Sequence, residues 1–137
     1  MVIQRWQNLL LLIALIFTGL FCATSYAVIP GEVPANVYAY DAPVLLIINI
    51  VVVVMLAIGI SVFKNLKRQM TIANIVMVLI CASLVTCGAL LYLVTPTAEL
   101  VMLGGVNYLI IAFICTLVAR NFMRKDLNLL RSYDRLR

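Results

Sequence analysis

The sequence predicts an all-α integral membrane protein: a four-helix bundle of two hairpins, with both termini in the cytoplasm and the fourth helix extending beyond the membrane. Three observations lead there. Of 137 residues, 66% are apolar and only 11% are charged, against roughly 45–50% apolar and about 25% charged in soluble domains. Four stretches are each long enough to cross a bilayer as a helix, which takes about 20 apolar residues. The basic residues are confined to alternate connections. A soluble fold of this size has too little interior for so much apolar surface. That excludes a typical cytosolic enzyme, a disordered chain and a disulfide scaffold.

The spans are expected at about 9–29, 43–63, 72–94 and 98–119, in one membrane domain covering 1–137, with a helical tail over 120–137. None contains a charged side chain within its apolar stretch, which in the fourth starts near Leu100, just after Glu99. The second carries the run Val51-Val52-Val53-Val54, which favours a strand in water. In lipid the backbone must satisfy its own polar groups, so the run reads as helix. Asp41 ahead of Pro43 suits a helix start, and Thr95-Pro96-Thr97 repeats the pattern before span four. Pro30, Gly31 and Pro34 break the chain after span one. Residues 64–70 read as a short polar turn, and the connection near Thr95–Ala98 as a tight helical hairpin. Small residues four apart, Gly19 and Ala23, Ala57 and Ser61, Ser83 and Cys87, read as close-packing faces. Gly104-Gly105 reads as a point of close approach or bending.

Charge sets the orientation. Arg5 precedes span one; Lys64, Lys67 and Arg68 lie between spans two and three; Arg120, Arg124, Lys125, Arg131, Arg135 and Arg137 follow span four. The other two connections hold Glu32, Asp41 and Glu99 instead. Lys and Arg stay on the cytoplasmic side, which places both termini there. The net charge of +5 then serves anionic lipid headgroups rather than nucleic acid. Trp6 marks the inner edge, and Tyr26, Tyr38, Tyr40 and Tyr92 the outer one. Residues 1–27 resemble a secretory signal ending in Ser25-Tyr26-Ala27. The even number of spans and the charge pattern predict that it remains uncleaved.

The search for chemistry is largely negative. There is no histidine and no acidic residue within the apolar stretches, so intramembrane acid–base, nucleophilic or metal chemistry has no parts to work with. Ion-coupled transport ordinarily uses ionisable groups at that depth. No catalytic residue, metal ligand or cofactor is expected. Cys22, Cys81, Cys87 and Cys115 lie in apolar spans at no metal-binding spacing and read as small apolar residues. The candidate intramembrane contacts are Asn49, Asn74 and Asn107, since an amide in hydrocarbon seeks a partner on another helix. Asn49, Asn107 and Tyr108 together form the sharper alternative of a polar substrate site.

The tail is the other candidate. Nothing breaks the helix between Ala119 and Arg135, and a helix from Thr97 to Arg135 would be about 58 Å long, against a hydrocarbon core of roughly 30 Å. Arg120, Arg124, Arg131 and Arg135 share one face, and Met123, Leu127 and Leu130 line another. With Asp134 and Arg137, the basic residues form a candidate partner-binding surface; the alternative is a tail that is solvated or lies at the membrane interface as an anchor.

The ends of the chain carry a resemblance. Gln4-Arg5-Trp6-Gln7 before a Leu-rich span, and Arg131-Ser132-Tyr133-Asp134-Arg135-Leu136-Arg137 at the close, resemble an uncharacterised four-span inner-membrane protein family of Bacteroidota. Asn128 departs from that family's pattern, in which a charged residue is common there. The resemblance implies an inner-membrane location and supplies no active site. The expected function is a non-enzymatic accessory or scaffold subunit of a larger inner-membrane complex. Its partners would be other membrane-protein subunits and the bilayer. The alternative is a small self-associating carrier or channel for a lipid or uncharged solute.

Overall fold

The computed structural model describes residues 2–93, 99–100 and 105–136. Four helices, α1 (Val2–Ala23), α2 (Pro43–Ser61), α3 (Leu66–Leu93) and α4 (Val106–Arg135), account for most of the chain. All four are long and apolar enough to cross a membrane, and the chain is a multi-pass membrane protein. Helix α1 packs on α2 and α4, and α3 packs on the same two, so the helices close into a ring.

A single stripe on each helix makes that ring. The buried positions are Gln7, Leu11, Ala14, Thr18 and Phe21 on α1, and Leu45, Asn49, Val52, Leu56 and Gly59 on α2. On α3 they are Leu66, Gln69, Ala73, Val76, Ile80, Ser83 and Cys87. On α4 they are Leu109, Ala112, Thr116, Ala119 and Met123. Every interval alternates between three and four residues. That period of 3.5 keeps one seam of each helix against its neighbours, as in left-handed bundles. The remaining apolar side chains, such as Ile47, Val54, Val78, Val85 and Ile114, are exposed all round the bundle. An apolar belt of that extent suits hydrocarbon and not water.

The helix ends differ from the sequence expectation. Span one stops at Ala23, and Ser25–Ile29 forms strand β1. It pairs antiparallel with β2 (Ala35–Tyr38), with Ile29 opposite Ala35 and Val28 opposite Asn36, and with β3 (Glu99–Leu100) on its other edge. The fold is therefore not wholly α-helical: a three-stranded sheet, ordered β2-β1-β3, closes one end of the bundle. Val28, Ile29, Val37 and Tyr38 favour strands, and pairing satisfies backbone groups that leave the helix here. Leu100 belongs to this sheet and does not open span four, which begins at Val106. Thr95, Pro96, Thr97, Ala98 and Gly104 lie outside the described residues.

At the other end α3 begins at Leu66, inside what reads from sequence as a turn. Asn65 supplies the start: its side-chain oxygen accepts from the Arg68 N–H at 3.2 Å, and its carbonyl from the Gln69 N–H at 3.0 Å. Lys67 and Arg68 are exposed on the first turn while Leu66 and Gln69 face inward, so the polar run is one side of a helix. Asp41 does not cap α2. It lies in a 3-10 turn over Ala39–Asp41, where it accepts from the Tyr38 N–H at 2.9 Å, and Ala42 precedes Pro43 at the start of α2.

The sheet is seated by Tyr26, Ala27 and Ala39, which are buried with Phe21, Leu45, Cys87 and Leu109. Tyr26 thus packs under the sheet against Phe21, ring centroids 6.0 Å apart. Burial pushes its phenol pKa up, with Cys87 and Asp41 adding to the shift. Tyr38 and Tyr40 stack at 4.8 Å, and Tyr92 is exposed. Of the small-residue pairs, only Ser83 and Cys87 are buried; Gly19, Ala23, Ala57 and Ser61 are exposed. Gly105 does make a close approach. Its φ is +56°, and a Cβ there would lie 2.7 Å from the Tyr26 Cα, so both its conformation and its space exclude a side chain. Gly105→Ala is expected to destabilise the purified protein by about 1–3 kcal/mol, read as a lower unfolding midpoint in detergent. An unchanged midpoint would contradict this seating of the sheet.

Candidate functional site

The polar side chains inside the bundle collect at two levels. The first is the end of the bundle where α3 starts. Gly59 on α2 has no side chain, and a Cβ there would lie 3.2 Å from Ile72 Cγ2, so α2 and α3 run close together. Gln69, one turn into α3, is 1% exposed. Its Nε2 donates to the Gly59 carbonyl at 3.1 Å and to Asn8 Oδ1 on α1 at 2.7 Å. Beside Asn8, Gln7 is fully buried and its Nε2 donates to Asp126 Oδ2 on α4 at 2.9 Å. Two glutamines therefore tie α3 to α2 and α1, and α1 to α4. Bonds of this kind between membrane helices average about 0.6 kcal/mol and reach about 1.7.

The second level is further along the seam. Asn49 is fully buried on α2, and its Nδ2 donates to Ser83 Oγ on α3 at 2.9 Å and to the Leu45 carbonyl at 2.8 Å. Thr18 and Thr116 donate to carbonyls four residues back in their own helices and tie nothing across the bundle. Among the described residues, Asn49 Oδ1, Gln7 Oε1 and Arg120 Nε are buried without a hydrogen-bond partner.

The structure distributes the sequence candidates unevenly. Asn49 faces another helix, Asn74 is half-buried on α3, and Asn107 lies on an exposed side of α4. Tyr108 packs on Phe17 with ring centroids 5.7 Å apart. Asn49 and Asn107 thus occupy a buried seam and an exposed face, not one pocket. Ser83, which reads from sequence as a packing residue, is the partner of Asn49, and Gln7, Asn8, Gln69 and Asp126 add to the polar contacts that the sequence candidates cover. Gln7 and Gln69 share the three–four spacing of the residues buried beside them, which is the signal that marks them.

The tail is helical to Arg135. It is shorter than the span from Thr97 implies: 30 residues in α4 make about 45 Å. Met123 is the last buried position, and Asp126 and Leu127 are half-buried. Met123, Leu127 and Leu130 therefore pass from buried to exposed along one face. Beyond them Asn128–Arg135 is exposed throughout, including Leu129, Leu130 and Tyr133. Arg120 is half-buried; Arg124, Arg131, Asp134 and Arg135 are exposed; Arg137 lies outside the described residues. Arg131 and Arg135 line a shallow polar groove with Asn128 and Ser132. A larger groove of about 410 Å³ lies between α1 and α4, lined by Trp6, Phe122, Lys125, Asp126 and Leu129.

These contacts make the two levels energetically unequal. Gln69→Leu removes two bonds at once and leaves the Gly59 carbonyl and Asn8 side chain unmatched, so it is expected to cost about 1–3 kcal/mol. Asn49→Leu removes one interhelix bond and an orphaned acceptor, and is expected to cost about 0.6 kcal/mol or less. Reversible unfolding of both variants in mixed micelles measures the difference. Equal losses would contradict the ranking.

Comparison with curated proteins and with solved structures gave no match. A family model does match residues 3–136, nearly the whole chain. The chain belongs to that family, DUF4293, a domain of unknown function.

Proposed function

We propose that this protein is a non-enzymatic accessory or scaffold subunit of a larger complex in the inner membrane of a Bacteroidota cell, serving protein export or envelope assembly. The observation that carries the reading is the end of α4. Asn128–Arg135 continues the helix past its last buried residue, Met123, and no described element covers it. An uncovered helix bearing Leu129, Leu130 and Tyr133 beside Arg131 and Arg135 has the chemistry of a docking surface, with aromatic and arginine anchors. The two-hairpin threading and the cytoplasmic placement of both termini rest on the basic residues at 64–68 and 120–135, set against Glu32, Asp41 and Glu99. On that side the exposed Lys67, Arg68, Arg124 and Lys125 also meet anionic headgroups.

The second reading, a small self-associating carrier or channel for a lipid or uncharged solute, is favoured by Asn49 Oδ1, a buried acceptor with no partner among the described residues. Flux in proteoliposomes that Asn49→Leu abolishes would support it.

Removal of residues 132–137 separates the two. The scaffold reading expects normal abundance and insertion, because among the described residues the deleted segment lies beyond every buried position, together with loss of a stoichiometric partner from mildly solubilised native membranes. Co-purification unchanged by the deletion would remove the scaffold reading.

A further inference from the structure

We propose that the groove between α1 and α4 is a binding site for a zwitterionic phospholipid with a primary amine, phosphatidylethanolamine. The groove holds opposite charges side by side on an otherwise apolar lining: Lys125 and Asp126, between Trp6, Phe122 and Leu129. Phe122, Asp126 and Leu129 lie four and three residues apart and so share one face of α4. Trp6 stands across from them on α1, just before that helix becomes continuously apolar at Leu9. Tryptophan at such a border sits at headgroup depth, and Phe122, one turn from Asp126 toward the apolar part of α4, can take the start of an acyl chain.

Charge selects the headgroup. A lipid phosphate finds the Lys125 ammonium. Its amine finds the Asp126 carboxylate, which is held in place because Oδ2 accepts from the buried Gln7 Nε2 at 2.9 Å; Oδ1 stays available for a second donor. A charge-assisted bond to a carboxylate needs an N–H donor, which the ethanolamine ammonium has and the quaternary ammonium of phosphatidylcholine lacks. A purely anionic headgroup meets Asp126 as a like charge. The inference does not depend on any protein partner; Leu129 is the one residue that the groove shares with the surface of the scaffold reading.

The only tryptophan of the chain is Trp6, so its fluorescence reports on this groove. The full chain would be placed in phosphatidylcholine nanodiscs containing a low, equal fraction of one brominated-chain lipid: phosphatidylethanolamine, phosphatidylglycerol or phosphatidylcholine. Quenching is expected to be strongest with phosphatidylethanolamine, by roughly fivefold in apparent affinity. Asp126→Asn keeps an acceptor for Gln7 and should abolish the preference. Lys125→Gln, at an exposed position, should weaken it and serves as a second reading should the first variant fold poorly. Equal quenching by the three lipids, stronger quenching by either of the other two, or a preference that survives both substitutions would overturn the proposal.

Discussion

Helices already dissolved in hydrocarbon gain little by exchanging lipid contacts for one another's apolar side chains. What fixes their arrangement is close packing and the need of each intramembrane polar group for a partner. In this chain the two requirements run along the same seam. Gln69 sits on the stripe that continues through Ala73, Val76, Ile80 and Ser83, and its amide meets α1 and α2 together. Gln7 opens the stripe of α1 and reaches α4. These side chains set the register of the helices at one end, while the sheet seated by Tyr26 and Gly105 closes the other.

Everything else follows from that closed ring. Small residues on the seam, such as Ala14, Ala73, Ala112 and Ala119, are buried and bring the helices close together. Many of the bulky β-branched side chains of α2 and α3, such as Ile47, Val54, Val78 and Val85, are left for lipid. The interior is filled by packed side chains, and exposed polar and aromatic groups collect at the end of the bundle: the groove beside Trp6 and the continuation of α4 past Met123.

The spans were legible because about 20 apolar residues in a row have few other uses. Their ends were not. Hydropathy cannot tell the apolar strand at Tyr26–Ile29 from another turn of helix, and Lys67 and Arg68 look like a loop until Asn65 is seen to cap the helix beneath them. The packing faces were hidden for a different reason. Where the outside of a helix is as apolar as its inside, amphipathic contrast disappears, and Gly19 and Ala57 on the lipid side look like Ala14 and Ala73 on the seam. Asn49 stood out as a lone amide in an apolar run. Gln7, Gln69 and Asp126 lay among other polar residues near the helix ends, where nothing in composition distinguishes a buried amide from a solvated one.

The central claim is that the bundle is a self-contained anchor and that the end of α4 faces another protein. Site-specific photo-crosslinking in intact cells tests it most directly, with a photoreactive residue placed at Leu130 on the extension and, in a separate strain, at Val85 on the exposed face of α3. The expected result is one discrete protein adduct from Leu130, at native expression level, and no protein adduct from Val85. Lipid adducts alone from Leu130, or protein adducts from Val85 in equal yield, would contradict it.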